Sequence, residues 1–305
     1  RISISWSTNL PEDMSMERIN IIGCGRAAGS LAILWQQSGR YEAGGIANRS
    51  PQSGAAAAAR IGAGIPVHDV REMPDARYWM IGTSDHQIVP AAEQLAGSGV
   101  QLAGCLVFHL AGRFGVEVLE PLQESGALLA ALHPVRSLTH EHLGLEDFAG
   151  TACVAEGGNA ALEMLRPLVT ATRGSWLPVN EIDRGLYHAA VAMTSNVTKA
   201  VTWKAQRWLI RAGLPEETAI AVTNQLLNST VEDLFRSGAR QSITGPVVRG
   251  DTRTIEAHLE AVRSTHPNDI DIYRILARTV FDLALNRGDL DEPTQQRFRD
   301  LLRGD

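Results

Sequence analysis

Residue types and patterns that are scarce in this 305-residue chain exclude several classes of protein. The three cysteines are far apart and show no paired spacing, so they indicate free thiols in a reducing compartment, not a disulfide framework or a zinc site. Positive charge is not in excess, since the formal net charge is -6, and this argues against binding to nucleic acid or to a membrane surface. No apolar run approaches the length of a transmembrane helix.

Familiar catalytic and metal-binding patterns are also missing. The sequence contains no HExxH pair, no P-loop, no GxSxG nucleophile elbow and no cluster of metal-ligand residues, so we predict no metal site. Residues 1–15 lack the basic and apolar regions of a signal peptide, and we treat them as an N-terminal extension outside the fold. Together with the free thiols, this pattern indicates a cytoplasmic protein.

The most informative stretch is the glycine turn Gly23-Cys24-Gly25, which follows an apolar run and precedes helix-forming residues. This order is typical of the strand, turn and helix that open a dinucleotide-binding unit. The first glycine permits the tight turn, the second lets the backbone approach a pyrophosphate, and a small residue after them allows close packing. The helix N-terminus then offers N–H groups to the phosphates. The predicted contacts here are Gly23, Gly25, Arg26, Ala27 and Ala28. The alternative is a glycine turn kept for packing alone.

Strand-like and helix-like segments alternate up to about residue 180. Strands are predicted before the glycine turn, around Val67, and at 45–47, 76–82, 101–109, 127–133, 151–155 and 175–179. Helices are predicted at 27–38, 55–59, 85–97, 116–125 and 160–172, with Ser50 as an N-cap before Pro51. Such alternation predicts an α/β fold with a mostly parallel sheet covered on both faces.

From residue 181 onward only helical apolar spacing remains. Helices are predicted at 182–212, 215–237, 251–263, 269–287 and 293–302, with breaks at 213–215, 245–246 and 266–267. The length and the 44% apolar content suit two domains, each with its own core. We therefore predict a dinucleotide-binding α/β domain at 16–180 and an all-helical domain at 181–305.

The end of the second strand predicts which dinucleotide is bound. An NAD site usually carries an acidic residue here, but this chain has Asn48-Arg49-Ser50. A guanidinium can hold a 2′-phosphate in a charge-assisted pair, and Ser50 and the next helix add donors. We therefore predict NADP, although Arg49 could be a solvated turn residue and Ser50 only a cap. After the fourth strand, Thr83 and Ser84 are further predicted cofactor contacts, and Asp85 is either a contact or a helix N-cap.

Four stretches of the chain resemble one group of known proteins. They are the glycine turn, Leu132-His133-Pro134-Val135, Arg184-Gly185-Leu186-Tyr187-His188-Ala189-Ala190 and Thr244-Gly245-Pro246-Val247-Val248-Arg249-Gly250-Asp251. From about Glu17, the chain resembles Rossmann-like proteins whose helical C-terminal half is a domain of unknown function. These proteins are relatives of pyrroline-5-carboxylate reductase, ketopantoate reductase, prephenate dehydrogenase and the 6-phosphogluconate dehydrogenase group. The resemblance implies an NADP-type cofactor in the cleft between domains, a helical domain of the 6-phosphogluconate dehydrogenase C-terminal type, and a homodimer built on it.

The resemblance also suggests candidate catalytic residues. His133 before Pro134 looks like the histidine that assists catalysis in prephenate dehydrogenases, although it could be a buried histidine bonded to backbone. Related enzymes place a lysine and an asparagine where this chain has His188 and Asn196, which are eight residues apart on one predicted helix. His109 ends the fifth strand and is predicted to pack against the cofactor. Relatives commonly have a serine at the position of Ala111, so its absence puts the transfer of a mechanism in doubt.

The remaining charged candidate in the helical half is Arg249. Its guanidinium could bind a substrate carboxylate, but we favour an ion pair with Asp251 that holds the junction, and Asp251 could cap the next helix. We predict an NADP-dependent oxidoreductase that transfers a hydride to or from a small keto, hydroxy or imino acid, with His188 or His133 handling the proton and Asn196 orienting the substrate. The alternative is a non-catalytic NADP(H)-binding regulator or scaffold.

Overall fold

The computed structural model of the protein describes residues 16–138, 143–288 and 290–303. The predicted extension at residues 1–15 lies outside them. The chain divides into two compact units, residues 1–194 and 195–305. The first helix after the sheet thus belongs by its contacts to the first unit, while the domain boundary that we predict at 180/181 stays a prediction.

The first unit consists of alternating strands and helices. Its strands are β1 (Glu17–Ile22), β2 (Tyr41–Ala47), β3 (Ile65–Val67), β4 (Tyr78–Ile81), β5 (Leu106–His109), β6 (Leu128–Pro134), β7 (Ala152–Gly157) and β8 (Ser175–Pro178). Its α-helices are α1 (Arg26–Gln37), α2 (Pro51–Ile61), α3 (Ile88–Ala96), α4 (Leu145–Phe148), α5 (Asn159–Ala171) and α6 (Arg184–Ala192). Ser50 caps α2 as predicted, because its hydroxyl accepts a hydrogen bond from the backbone N–H of Ser53.

The eight strands form one sheet in the order β3-β2-β1-β4-β5-β6-β7-β8. All neighbouring strands are parallel except β6 and β7. The predicted mostly parallel sheet is therefore confirmed, and its first six strands have the order typical of dinucleotide-binding folds. The order reverses between β1 and β4, and in open sheets ligands bind at the carboxyl ends of the strands beside such a reversal.

Each face of the sheet has its own apolar core. On one face, Ile19 and Ile21 of β1 pack with α1, α2 and α5, and the indole N–H of Trp35 in α1 donates to the carbonyl of Leu168 at 2.8 Å. On the other face, Ile22 and Ile81 pack with α3 and with the chain after β5. Because helices cover both faces, the strands have the continuous apolar character of a buried parallel sheet.

Two predicted strands have different bounds in the structure. β2 begins at Tyr41, not at residue 45, because Gly44 and Gly45 continue the strand instead of turning it. A Cβ on either glycine would clash, with Asn20 at 2.5 Å or with Met73 at 2.4 Å, so these glycines are required by packing. β5 begins only at Leu106, because the residues before it form a turn around Gly104, where φ is +73°.

Three predicted helices also differ in type or continuity. Residues 116–125 form a 3-10 helix and not an α-helix, and Pro121 within it cannot donate an α-helical hydrogen bond. The predicted helix at 182–212 is interrupted, since a π-helical segment, Met193–Val197, separates α6 from α7 (Thr198–Arg211). In the first unit, the predicted helix at 85–97 begins as a 3-10 turn, Asp85–Gln87, before α3.

The second unit is helical, as predicted, and the predicted breaks fall between its helices. After α7 come α8 (Glu216–Ser242), α9 (Thr252–Thr265), α10 (Ile270–Arg287) and α11 (Glu292–Leu301). Their core contains Val247, Ile255, Leu259, Phe281 and Phe298. None of the helices described in the structure is both long and apolar enough to cross a membrane.

Candidate functional site

The glycine turn sits at the carboxyl end of β1, where the order of the sheet reverses. The Gly23 N–H donates to the carbonyl of Ala47 at 2.8 Å, and the Gly82 N–H donates to the carbonyl of Ile22 at 2.8 Å. Gly23 has a φ of +82°, and a Cβ there would lie 2.5 Å from Cγ2 of Thr83. Both backbone conformation and packing therefore require glycine at position 23.

At position 25, neither backbone conformation nor packing requires glycine. The φ of Gly25 is -78°, which any residue adopts, and the nearest atom to a Cβ at this position would be the carbonyl oxygen of Gly82 at 3.9 Å. It is the N-cap of α1, yet no side chain caps this helix and its first turn contains no acidic residue. The N–H groups and partial positive charge of the helix are therefore open to an external anion that approaches over Gly25.

A cavity of about 780 Å³ opens beside this turn. Seven of the eleven predicted cofactor-binding residues line it: Gly23, Gly25, Asn48, Arg49, Ser50, Thr83 and Ser84. Among the described lining residues there is no aspartate or glutamate, whereas Arg49, His68 and His86 are basic. The absence of lining carboxylates and the presence of an arginine suit an anionic ligand.

The end of β2 is held to the glycine turn by Asn48. Its Oδ1 accepts a hydrogen bond from the Cys24 N–H at 2.6 Å, and its Nδ2 donates to the carbonyl of Ser53 at 3.0 Å. Asn48 therefore positions the turn with both ends of its amide. Arg49 beside it is exposed, and in the described part of the chain its guanidinium makes no hydrogen bond or ion pair. Its charge is thus available to a ligand in the cavity.

The loop after β4 supplies the opposite wall. The hydroxyl of Thr83 is buried and has no hydrogen-bond partner among the described residues, while the methyl group of the same side chain packs against Gly23. A buried hydroxyl without a partner costs about 1–3 kcal/mol, so a ligand that hydrogen bonds to it would recover this cost. Ser84 is exposed at the cavity. The interpretation of Asp85 as a helix cap is wrong, because α3 is preceded by Gln87 and has no side-chain cap.

The other four predicted cofactor residues do not line this cavity. Arg26, Ala27 and Ala28 form the first turn of α1, and the Cα and Cβ of Ala28 pack against the position where a Cβ on Gly82 would lie. His109 is completely buried. Its Nδ1 accepts from the Ala111 N–H at 3.1 Å, which makes Nε2 the protonated nitrogen that donates to the carbonyl of Gly115 at 2.8 Å. Burial lowers the pKa of His109, so this neutral histidine holds the loop after β5.

A second group of polar residues lies at the carboxyl end of β6. β6 extends past the end of β5, whose last residue, His109, pairs with Ala131, so His133 projects beyond the neighbouring strand. A hydrogen bond of 2.7 Å joins His133 Nδ1 to Tyr187 Oη of α6, and the two rings meet edge to face. A Cβ on Gly112 would lie 2.8 Å from Nε2 of His133, so the chain at Gly112 packs directly against the imidazole.

The charge environment of His133 keeps the imidazole neutral. Burial, followed by the charges of His188 and Arg184, lowers the pKa of His133 to about 4. Arg184 is itself 7% exposed, and its Nε donates to Glu156 Oε2 at 2.8 Å. The two Nη atoms of Arg184 make no hydrogen bond among the described residues. Nη2 nevertheless lies within ion-pair distance of Glu156 Oε2, at 2.7 Å. The guanidinium also lies over the ring of Tyr187, with Cζ 5.7 Å from its centre.

The structure brings two of the three predicted catalytic residues together. The rings of His133 and His188 are 6.2 Å apart between centres, and both residues belong to the first unit. His188 is exposed on α6. Asn196 lies in the π-helical segment and belongs to the second unit. Short π segments in α-helices are frequent at functional sites.

At the junction before α9, the two predicted roles of Asp251 are a helix cap and an ion pair with Arg249. Asp251 caps α9, because its carboxylate accepts from the N–H of Thr254 at 3.1 Å and from its hydroxyl at 2.6 Å. These bonds lower the pKa of Asp251. The favoured ion pair with Arg249 is not formed within 4.0 Å among the described residues, although the charge of Arg249 also favours the ionised carboxylate. The carboxylate instead ties down the helix N-terminus.

Sequence reasoning missed several residues of these two groups. The sequence alone favours an interface packing role for Tyr187 and indicates no individual role for Arg184. His68 and His86 line the cavity but stand in no recognisable motif. The signal for Tyr187 and Arg184 was their three-residue spacing on a predicted helix, which places them on one face with His188 beside them.

The sequence matches two family models in succession. Residues 8–134 match the Rossmann-like domain, and residues 151–280 match the domain of unknown function DUF2520. The second match begins just before β7, so it covers the last two strands of the sheet as well as α5 to α9 and part of α10. No protein with a curated function matches the chain.

Solved structures share the fold at low sequence identity. A protein from Bacteroides fragilis that carries the provisional name NADP oxidoreductase is 19% identical, with a TM-score of 0.71 over 88% of this chain and 100% of that one. A protein from Thermotoga maritima is 20% identical, with a TM-score of 0.69 over 88% and 99%. An imine reductase from Myxococcus stipitatus in complex with NADP+ is 17% identical, with a TM-score of 0.58 over 92% and 99%. At such identities the likeness concerns the fold. The chain thus carries a Rossmann-like domain followed by a DUF2520 domain.

Proposed function

We propose that the protein is an NADP-dependent oxidoreductase that transfers a hydride to or from a small keto, hydroxy or imino acid. The observation that carries the proposal is the cavity at the glycine turn, which has no carboxylate among its described lining residues and is bordered by Arg49. The names of the structural neighbours support it, since they include an NADP oxidoreductase, a pyrroline-5-carboxylate reductase and imine reductases, one of them in complex with NADP+.

The residues at the cavity fit a dinucleotide phosphate. Among the described residues, nothing requires glycine at position 25, no side chain caps the N-terminus of α1, and no group hydrogen bonds to the Thr83 hydroxyl. Gly25 and the first turn of α1 would hold the pyrophosphate, and Arg49 with Ser50 would hold the 2′-phosphate. When bound, the nicotinamide supplies or accepts the hydride.

The chain itself must handle one proton. His133 is neutral, its Nδ1 is bound to Tyr187, and among the described residues its Nε2 makes no hydrogen bond. In our proposal, Nε2 accepts the proton that the substrate oxygen or nitrogen loses on oxidation and returns that proton in the reverse reaction, while Tyr187 fixes the orientation of the ring. His188 assists the transfer from α6, and Asn196 orients the substrate. These roles follow from the polar grouping at β6 and from the resemblance of the motifs.

A first experiment compares binding of NADPH and NADH by calorimetry. We expect the protein to bind NADPH at least tenfold more tightly, and Arg49→Gln to remove this preference. Arg40→Gln is the matched control, because Arg40 lies just before the other end of the same strand and does not line the cavity. The proposal is wrong if millimolar NADPH and NADP+ leave both the melting temperature and the titration heat unchanged.

A second experiment tests turnover on a panel of small keto and imino acids with NADPH. His133→Asn and His188→Ala should lower kcat far more than they weaken NADPH binding. The rival function, a non-catalytic regulator that binds NADP(H), is favoured by Ala111, which supplies no hydroxyl to the loop after β5, and by the engagement of both His109 nitrogens within that loop. Tight NADPH binding without oxidation by any of these acids would support that rival.

We also propose a homodimer formed through the helical unit. Of the 27 residues of α8, only Ala219 and Thr223 are buried, whereas Leu226 is 65% and Phe235 is 88% exposed. Exposed apolar patches of this kind are typical of interfaces. Light scattering should give twice the mass of the chain, and Phe235→Ser together with Leu226→Ser should shift it toward the monomer. A monomeric mass of the wild type at micromolar concentration would rule the dimer out.

A further inference from the structure

A second cavity lies wholly inside the helical unit, and none of its lining residues belongs to the groups discussed for the cofactor or the proton. Its volume is about 370 Å³, within the range of small-ligand pockets. α7, the junction before α9, α9 and α10 supply its walls, and three of the lining side chains, Val247, Ile255 and Ala277, are buried in the core. The other apolar lining residues are Val201, Ala205, Trp208, Pro246, Ile272, Leu276 and Val280.

The polar groups of this cavity are few and are held in place. Lys204 Nζ donates to Asp269 Oδ1 at 2.5 Å, and the indole N–H of Trp208 donates to Asp269 Oδ2 at 3.2 Å. A hydrogen bond of 2.7 Å joins His258 Nδ1 to Tyr273 Oη. The aromatic rings also contact one another, with 6.2 Å between the ring centres of Trp208 and Tyr273. These contacts fix the orientation of the lysine, the histidine and both aromatic rings before any ligand binds.

The sign of the charge at the wall restricts the ligand. The lining residues include Lys204 and His258 but, in the described part of the chain, no aspartate or glutamate. Asp269 lies outside the lining and is engaged by Lys204 and Trp208, and the bond from Lys204 lowers the pKa of Asp269. Two of the three ammonium hydrogens of Lys204 remain for another acceptor. Lys204 is paired with Asp269, and its remaining ammonium hydrogens can donate at the edge of an apolar interior, which suits a ring that carries a carboxylate.

We propose that this cavity binds a small aromatic carboxylic acid. The ring lies in the apolar interior against Trp208 and Tyr273, and the carboxylate accepts hydrogen bonds from Lys204 Nζ and from the His258 side of the opening. No residue of α8 lines the cavity, so it is separate from the apolar helix face that we propose for dimerisation. The site makes the helical unit a ligand-binding unit in its own right, independent of the proposed oxidoreductase activity.

The test uses 2-naphthoate as the probe and calorimetry on the full chain. Leu276→Trp fills the cavity, since Leu276 lines it and is 40% exposed, and should weaken naphthoate binding at least tenfold. Ile275→Trp is the matched control, because Ile275 is the preceding residue of the same helix, is 59% exposed and does not line the cavity. Naphthoate binding to this control should stay within twofold of the wild type.

The charge requirement is tested with a second probe of the same shape. 2-Naphthylmethylamine, which is a cation, should bind at least tenfold more weakly than 2-naphthoate, and Lys204→Met should abolish that difference. The proposal is overturned if the two probes bind equally well to the wild type, if Ile275→Trp weakens binding as much as Leu276→Trp, or if no heat is measured at millimolar naphthoate. It is also overturned if Leu276→Trp changes the mass in solution and leaves naphthoate binding intact, since a second copy would then occupy the cavity.

Discussion

The protonation of His133 can be predicted from the structure and measured directly. Burial is the main cause that lowers its pKa from 6.5 to about 4, and the charges of His188 and Arg184 lower it further. At about 1.4 kcal/mol for each pKa unit, this difference amounts to about 3 kcal/mol in favour of the neutral ring in the folded protein. We expect the His133 Cε1 proton to titrate near pH 4 in an NMR experiment.

The same difference sets the direction of a pH effect on stability. Above about pH 6.5 the ring is neutral in both the folded and the unfolded chain, so His133 adds no pH dependence. As the pH falls below this value, the unfolded chain binds the proton first, and the free energy of unfolding decreases until the folded protein also protonates near pH 4. Between about pH 7.5 and pH 5, this loss amounts to about 2 kcal/mol. His133→Asn should remove that part of the pH dependence in urea unfolding.

Two variants test the physical cause. His188→Ala should raise the pKa of His133, because a neighbouring positive charge is removed, whereas His68→Ala is a control, since His68 is not among the charges that shift this pKa. If His133 titrates near 6.5 in the wild type, or if His68→Ala shifts it as much as His188→Ala, the reasoning from burial and neighbouring charge is refuted. The electrostatic basis for the proposed proton transfer would then be lost as well.

Three further predictions concern single substitutions in the two units. Gly112→Ala should push the His133 ring out of place, because the new Cβ would lie 2.8 Å from it, and NMR should detect a shifted histidine signal in a protein that still binds NADPH. Arg49→Gln should weaken NADPH by about tenfold to a hundredfold and leave NADH nearly unaffected, measured as dissociation constants. Asp251→Ala should cost about 1 kcal/mol in urea unfolding because α9 loses its N-cap, whereas Asp251→Asn should retain most of that stability.

The order of strands and helices could be predicted because local signals mark each boundary. The glycine turn ends β1, Ser50 and Pro51 begin α2, and glycine–proline breaks separate the helices of the second unit. These signals depend on backbone conformation and on capping, both of which involve residues close together in sequence. The strand order is not determined by these local signals, because right-handed crossovers between parallel strands are compatible with more than one order.

The bounds of β2 could not be predicted, because a distant residue determines them. Asn20 in β1 is buried, and its Oδ1 accepts from the Gly45 N–H at 2.7 Å while its Nδ2 donates to the carbonyl of Pro74 at 2.8 Å. Glycines at 44 and 45 leave room for this side chain and for Met73, so a pair of residues that is typical of turns lies inside a strand. Sequence patterns record the glycines but not the neighbours that require them.

The π-helical segment could not be predicted either, and it matters for the site. A spacing of eight residues places His188 and Asn196 on one face only of an uninterrupted α-helix, whose period is 3.6 residues. Met193–Val197 forms i to i+5 hydrogen bonds instead, which changes the angular position of every residue beyond it. A spacing of eight residues therefore no longer determines the orientation of Asn196, and its role stays part of the proposal.

In the candidate site, residue identity alone does not show which side chain of α6 hydrogen bonds to His133. The sequence directs attention to His188, since it replaces a lysine of related enzymes, yet Tyr187 is the residue that hydrogen bonds to His133, 54 positions away. Tyr187 in turn lies beneath Arg184, whose charge is balanced by Glu156 of β7. Among the described residues, the groups that hydrogen bond to His133 or shift its pKa therefore come from the first unit, on α6 and in the Asp85 turn after β4. Because Tyr187, Arg184 and Glu156 contact one another in series, the change in the free energy of unfolding caused by Tyr187→Phe should depend on whether Glu156 is present. A double-mutant cycle between Tyr187 and Glu156 should therefore give a coupling free energy that differs from zero.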